Sequence, residues 1–353
     1  MARILVTGAS GFVGGHLVEA LLARGAQVRC LLRPKLSPGS LPLDDIETHT
    51  GDLLDIEAVT RAVEGCETVY HVAGATGALR PEDFRKVNVD GTANVVQACL
   101  AQQRPPILVV VSSVSAVGPA TLDRPHVETD PPRPMSLYGK SKRGGEEVAE
   151  AEAARLPLTI VRPGIVFGPR DRALLPAVRM IWRARCHVLP RLRTPPLSFI
   201  EVRDLAQILI AAAERGRRVA PPGTMPPGTG DGYYFATLED FPTYSEFGQI
   251  LARAMGRRGV LPVTPPRPIP WLVGLVNEGI AQVRQRPAVY SRDKFYEAVV
   301  ESWACSNRAT REQLGFTPSA PFDQQVRETI RWYVEHGWLK TYLMSREQRL
   351  SQL

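Results

Sequence analysis

The residues able to do chemistry fall into three groups. Tyr138-Gly139-Lys140-Ser141-Lys142 places a phenol and an ammonium four residues apart, on one face of any helix they occupy. A free phenol titrates about three units above neutrality, so forming its anion costs about 4 kcal/mol. A nearby ammonium and an oxidised nicotinamide supply that order of stabilisation, making Tyr138 a proton donor or acceptor. Val110-Val111-Ser112-Ser113-Val114-Ser115-Ala116-Val117-Gly118 carries three hydroxyls beyond an apolar run. Such hydroxyls can donate to an oxygen that gains negative charge. Thr7-Gly8-Ala9-Ser10-Gly11-Phe12-Val13-Gly14 joins an apolar run to a helical pattern. Glycines there admit a tight turn and close approach of the backbone to a pyrophosphate at the helix N-terminus. Together these features predict hydride transfer, with Tyr138 as general acid or base and the nicotinamide doing the redox chemistry.

The elements that position these groups alternate. Strands are predicted at Arg3–Thr7, Gln27–Leu32, Ile46–Thr50, Thr68–Val72, Ile107–Ser112 and Leu158–Val161. Helices are predicted at His16–Arg24, Ile56–Val63, Asp83–Leu100 and Tyr138–Arg155. Strands alternating with helices imply an α/β fold, a doubly wound parallel sheet with ligands beyond the carboxyl ends of its strands. A proline-rich loop, Gly118–Met135, precedes Tyr138, and the loops Val219–Gly232 and Leu261–Pro270 break the later alternation. Helical patterns follow at Thr243–Met255, Ser291–Glu301 and Asp323–His336. Residues 1–175 are expected to form the dinucleotide-binding domain, with returning segments near 196–215 and 233–240. Residues 176–353 are expected to be mainly a smaller, interleaved substrate-binding cap.

Composition narrows the classes. A chain of 353 residues with 44% hydrophobic and 22% charged residues reads as an ordinary globular protein. The basic residues behind the net charge of +7 are scattered, with only short clusters at Arg183–Arg193, Arg215–Arg218 and Arg253–Arg258. These read as solvated faces or as attraction for an anionic cofactor, and no nucleic-acid partner is expected. Five cysteines without a CxxC pair, and histidines without ligand spacing, predict free thiols in a reducing cytoplasm and no metal. No signal peptide and no transmembrane segment are expected; Trp271–Val276, cut short by Asn277 and Glu278, reads as a buried helix, the alternatives being a cover over an apolar substrate or a contact with a membrane surface.

The spacing Gly8-x-x-Gly11-x-x-Gly14 resembles the short-chain dehydrogenase/reductase superfamily. Gly51-Asp52-Leu53, His71-Val72-Ala73-Gly74, Asn88-Val89-Asp90-Gly91-Thr92 and Arg162-Pro163-Gly164-Ile165-Val166-Phe167-Gly168-Pro169 narrow the likeness to its extended, epimerase/dehydratase branch. Within it, Gly8–Val13 with Arg33, Val110–Gly118, Trp303–Gly315 and Thr329–Gly337 resemble the dihydroflavonol-reductase and 3β-hydroxysteroid-dehydrogenase side. Ser198–Asp204 looks like the branch's late sheet strand and the start of the next helix. The resemblance implies a Rossmann-type fold and a cofactor held by Gly8, Ser10, Gly11, Phe12, Val13 and Gly14. Asp52 would bond the adenine amino group beside Leu53, Ala73 would approach the cofactor, and Asn88 would brace the adjoining sheet, the alternatives being a turn aspartate at Asp52 and a purely structural helix residue at Asn88. Pro163 and Val166 would pack on the nicotinamide, while Tyr138 and Lys142 would touch its ribose. Aligning Gly118 with the family's terminal glycine makes Ser113 the catalytic serine, with Ser112 and Ser115 as alternatives.

The end of the second strand, Leu31-Leu32-Arg33-Pro34-Lys35, lacks the carboxylate that would accept a ribose hydroxyl bond. A guanidinium there suits a 2′-phosphate, so NADP(H) is favoured over NAD(H), against the alternative that Arg33 and Lys35 are surface cations. His71 reads as strand-end packing or a sheet-edge residue rather than a base, and His126 and Glu128 as solvated loop residues, with lining of the pocket as the alternative. The expected activity is a carbonyl reductase or alcohol dehydrogenase for a fairly apolar small molecule, with flavonoid-, steroid- or acyl-like substrates. The alternatives are a nucleotide-sugar epimerase or dehydratase with tightly held NAD, and a non-catalytic NADP(H)-binding redox sensor. Missing acid after the second strand and Val111-Ser112-Ser113 in place of Thr-Asp-Glu count against the epimerase or dehydratase; intact Ser113, Tyr138 and Lys142 count against the sensor. The oligomeric state stays open, a homodimer being the assembly to look for.

Overall fold

In the computed structural model, the described residues are 3–34, 38–189, 194–266, 269, 272–277, 279, 297–298 and 300–339. Seven parallel strands form one sheet: β1 (Arg3–Thr7), β2 (Gln27–Leu32), β3 (Glu47–Thr50), β4 (Thr68–His71), β5 (Ile107–Val111), β6 (Leu158–Pro163) and β10 (Tyr233–Ala236). Their spatial order is β3-β2-β1-β4-β5-β6-β10. This is the doubly wound order, reversing direction beside β1 and β4.

Alternation along each strand sorts the two cores. Leu5, Val69, Leu108 and Val110 face one cluster; Val6, Tyr70, Val109 and Val111 face the other. The first face is covered by α2 (Ile56–Val63) and α4 (Gly91–Leu100), with Ala149 of α5 (Leu137–Glu150). The second is covered by α1 (Phe12–Leu22) and α7 (Val202–Arg215), whose Leu17, Val18, Leu205 and Leu209 are fully buried. With both faces covered, the central strands carry near-continuous apolar runs; β6 is buried at every position.

Asp83–Leu100 is not one helix. It divides into α3 (Pro81–Arg85), a π-helical turn at Lys86–Asp90, and α4. Such bulges re-aim a side chain and recur at functional sites; here the turn carries Asn88. The helix begun at Leu137 stops at Glu150, short of Arg155.

Ser198–Asp204 corrects a second expectation. Its strand, β9 (Phe199–Glu201), does not join the main sheet; it pairs with β7 (Ile165–Phe167). The edge beside β6 is already taken by β10 in the register Tyr233↔Ile160. The chain bends away at Gly164, where a Cβ would lie 2.4 Å from the Ser198 carbonyl oxygen. A further parallel pair joins β8 (Cys186–Val188) to β11 (Leu261–Val263). Around these pairs pack α6 (Leu175–Ala184), α8 (Tyr244–Ala254), α9 (Arg308–Leu314) and α10 (Phe322–Glu335), with Phe167, Phe199, Phe247 and Phe322 in ring contact.

Trp271–Val276 is another correction. Residues 272–277 are helical, but Leu272, Val273, Leu275 and Val276 are exposed rather than buried; Trp271 lies outside the described residues. The pattern Ser291–Glu301 falls mostly outside them too. No described helix is long and apolar enough to cross a membrane, and no metal-holding cluster occurs among the described residues.

Candidate active site

The site is built at the carboxyl ends of β1, β4 and β5. Gly8 follows β1 with φ of +72°, and a Cβ there would lie 2.6 Å from the Ala73 amide nitrogen. Only glycine fits, since both the backbone angle and the space exclude a side chain. A Cβ on Gly14 would lie 2.2 Å from the Gly8 carbonyl oxygen, so α1 presses its first turn against the loop. Gly11 caps α1 without a side-chain bond, and the first turn holds no acid. The leading N–H groups of α1 are thus left to an anion. This loop fits a pyrophosphate. Ser10, Phe12 and Val13 are partly exposed along it.

Beside it, hydrogen bonds run from Ala73 to Asn88. The Ala73 amide donates to Thr7 Oγ1 at 3.3 Å, and Thr7 Oγ1 lies 2.9 Å from His71 Nδ1. His71 Nε2 is 3.0 Å from Thr92 Oγ1, which donates to the Asn88 carbonyl at 2.8 Å. Because the Thr92 hydrogen is committed to Asn88, His71 donates from Nε2 and accepts from Thr7 at Nδ1. Burial and the Lys142 ammonium push its pKa down to about 3, so the ring stays neutral. His71 ends β4 at the centre of the sheet, not at an edge.

Asn88 ties the loop after β4 to α5. Its Oδ1 accepts from the Ala75 amide at 2.8 Å, while Nδ2 donates to the Ala75 carbonyl and to Ser141 Oγ. Gly145 permits the approach, since a Cβ there would meet the Asn88 carbonyl at 2.3 Å.

Lys142 and Tyr138 rise from α5, which Ser136 starts by accepting from the Gly139 amide at 2.9 Å. Lys142 Nζ donates to the Val111 carbonyl at 2.7 Å and lies 3.3 Å from where a Gly74 Cβ would stand. Burial lowers its pKa to about 8, against the opposing pull of Glu146. Tyr138 is partly exposed, its ring 6.0 Å from Phe84. Ser113, two residues past Val111, caps a short 3₁₀ turn at Val114–Ala116 and accepts from the Ser115 amide at 3.1 Å. The first turn of α5 abuts that turn: a Gly139 Cβ would lie 2.3 Å from the Ser115 carbonyl oxygen. Ser112 is buried instead, its hydroxyl without a hydrogen-bond partner among the described residues. Contact is therefore continuous from Gly8 through Ala73 and Gly74 to Lys142 and the Ser113 strand end.

The other expected residues lie around this floor. Asp52 Oδ1 accepts from the Leu54 amide at 3.0 Å, closing a turn. Leu53 is buried against Gly91. Arg33 follows β2, exposed and without ion pair or hydrogen bond among the described residues; Lys35 lies outside them. Pro163 ends β6, and Val166 sits in β7, partly exposed. His126 and Glu128 are not solvated. His126 bridges Asp130 and the Pro119 carbonyl, and buried Glu128 accepts from the Phe235 amide at 3.2 Å.

Beneath the site lies an ionic cluster not anticipated from sequence. Arg162, fully buried, donates through Nε and Nη2 to Glu146 at 2.9 and 2.7 Å and sits 4.4 Å over the Tyr233 ring. Burial alone would raise the Glu146 carboxyl; Arg162 and Arg143 outweigh it and hold the group ionised. Two signals pointed here: Arg162 stands in the Arg-Pro-Gly motif, and Glu146 is four residues beyond Lys142 on one helix face.

This sheet order and the glycine loop after β1 are those of a dinucleotide-dependent short-chain dehydrogenase/reductase of the extended type. Residues 4–225 match the NAD dependent epimerase/dehydratase family, and the chain belongs to it. It is 30% identical to a ceramide reductase of Caulobacter vibrioides over 95% of this chain and 96% of that one. It is 23% identical to a sterol-4-alpha-carboxylate 3-dehydrogenase of Saccharomyces cerevisiae, covering 94% and 98%. The fold matches a Thermus thermophilus UDP-glucose 4-epimerase in complex with NAD, with a TM-score of 0.71 at 24% identity, covering 94% and 98%.

Proposed function

We propose that this chain is a carbonyl reductase or alcohol dehydrogenase for a fairly apolar small molecule, with NADP(H) as its preferred cofactor. The observation that carries the reading is the unbroken floor from the Gly8 turn to Lys142 and Ser113, with Tyr138 one helical turn before Lys142. The glycine loop would hold the pyrophosphate, Asp52 the adenine side, Arg33 a 2′-phosphate, and Pro163 and Val166 the nicotinamide side. When bound, the nicotinamide supplies or accepts the hydride.

In the reductive direction the Ser113 hydroxyl donates to the substrate carbonyl oxygen and stabilises its growing charge. Tyr138 passes its phenolic proton to that oxygen; in the oxidative direction it takes the proton back. The Lys142 ammonium, fixed by the Val111 carbonyl, favours the phenolate left behind. His71 stays out of proton transfer because both ring nitrogens are occupied and the ring is neutral. The cap, drawn mainly from residues beyond 175, supplies the substrate wall. The ceramide reductase and sterol dehydrogenase relatives favour a lipid-like or polycyclic substrate.

Replacing Tyr138 with Phe tests the reading. Consumption of NADPH with a panel of apolar ketones is expected to fall at least a thousandfold, while NADPH binding by fluorescence changes little. Undiminished turnover rules out Tyr138 as the acid.

A further inference from the structure

Two stretches of the cap are free of carboxylates. Residues 172–200 and 247–277 hold ten arginines, no lysine, and no aspartate or glutamate. The whole chain carries only +7, so the remainder is net negative and the cationic excess is concentrated here. The fold joins the two stretches: β8 and β11 pair in the register Cys186↔Leu261 and Val188↔Val263, and the Leu261 amide donates to the Arg185 carbonyl at 2.8 Å.

The cations and apolar side chains share this rim. Arg183, Arg185 and Arg258 are exposed, and none is ion-paired among the described residues. Arg257 lies close enough to Arg185 to feel its charge, and Arg253 meets Asp323 only at 3.8 Å. The basic cluster at 215–218 differs, because its guanidiniums are spent on Leu314, Asp231, Ala212 and Ala213. Between the free arginines, Leu261 is 64% exposed, and Val263 and Val188 also face outward. Further along the chain, Leu272, Val273, Leu275 and Val276 of the helical residues 272–277 are exposed as well. The platform is firm, since buried His187 packs at a 45° tilt against the Tyr244 ring, centroids 4.5 Å apart, and bonds the Tyr244 carbonyl.

We propose that this face docks on the surface of an anionic phospholipid bilayer. Aliphatic side chains enter the acyl boundary, and the arginines meet lipid phosphates. A second copy fits poorly, because a self-paired interface would set one unneutralised arginine cluster against another. Nucleic acid fits poorly too: it would cover the arginines but gain nothing from exposed leucine and valine. The inference stands apart from the catalytic reading, since the face contains none of the Ser–Tyr–Lys residues.

The test is sedimentation of the full chain with phosphatidylcholine vesicles, with and without phosphatidylglycerol. Binding is expected only to the anionic vesicles and is expected to weaken as salt rises. The triple variant Arg183→Gln, Arg185→Gln, Arg258→Gln should lower partitioning about a hundredfold, at about fivefold per cation. Leu261→Ser with Val263→Ser should lower it about tenfold or more. Removing three exposed cations elsewhere, at Arg61, Arg104 and Arg155, should change it far less. Circular dichroism confirms that each variant is folded. The proposal is overturned by binding that ignores lipid charge, by no binding, or by a triple variant that binds like the parent chain. It is also overturned if the variants instead disperse a dimer in light scattering, or if duplex DNA binds this face more tightly than vesicles do.

Discussion

Glu146→Gln is the perturbation whose consequences the structure specifies most fully. Glu146 and Arg162 are each wholly removed from solvent, joined by two bonds of 2.9 and 2.7 Å, and Arg143 adds a third at 2.9 Å. The amide keeps the shape and removes the charge. Arg162 then retains a bond to the amide oxygen, the Gly228 carbonyl and the Tyr233 and Phe235 rings, none of which carries the charge that neutralises a guanidinium. Stranding a buried charge costs about 3–5 kcal/mol, which in a chain of this size lowers Tm by roughly 4–7 °C. Glu147 is an internal control: it is the same residue type on the next position, 61% exposed and 3.4 Å from Arg143 Nε. Glu147→Gln should cost no more than about 1 kcal/mol. Calorimetry or thermal melts measure both. A second readout separates a positioning role from a merely structural one. Glu146 supports the Lys142 charge against burial, so its loss should move the alkaline limb of the activity profile to lower pH. Equal melting of the two variants, with an unmoved limb, would refute the assignment of this cluster as the base that fixes α5.

Three further outcomes follow from the site. Lys142 titrates at about 8 in the folded chain against its ordinary 10.5. Turnover should therefore decline as pH rises through about 8. The folded pKa is the lower one, so the penalty of burying the ammonium is complete below about 8 and relieved toward 10.5; a pH–rate profile level through that window contradicts the role. Arg33→Ala should weaken NADPH about 10–100-fold, the worth of bonds to a charged group, and leave NADH nearly unchanged; equal losses in fluorescence titrations dismiss the 2′-phosphate contact. Gly8→Ala puts a methyl 2.6 Å from the Ala73 nitrogen at φ of +72°. Loss of dinucleotide binding by calorimetry is the expected result, and retained affinity would show that the loop does not hold the cofactor as described.

Sequence alone was sufficient wherever the relevant physics is local. Apolar runs alternating with helical periodicity gave the parallel sheet, because hydrophobic spacing encodes both the period and the two-sided burial of each strand. Gly8 and Gly14 could be placed because a glycine turn between strand and helix needs no distant partner. Tyr138 and Lys142 share a face by helical arithmetic. Tertiary structure decided what depends on residues far apart in the chain. His126 and Glu128 look solvent-accessible in sequence, yet Asp130 and the Pro119 carbonyl hold one, and Phe235 binds the other. The π-turn that aims Asn88 at Ala75 and Ser141 costs one extra residue, which periodicity over Asp83–Leu100 does not register. The Phe199–Glu201 strand is buried at every position like the inner strands of the sheet, and the occupied edge beside β6 sends it to β7. Arg162 meets Glu146 sixteen residues away because β6 runs beneath α5. Burial turns that pair from two ordinary surface charges into the support of the site, and burial is a property of the folded chain.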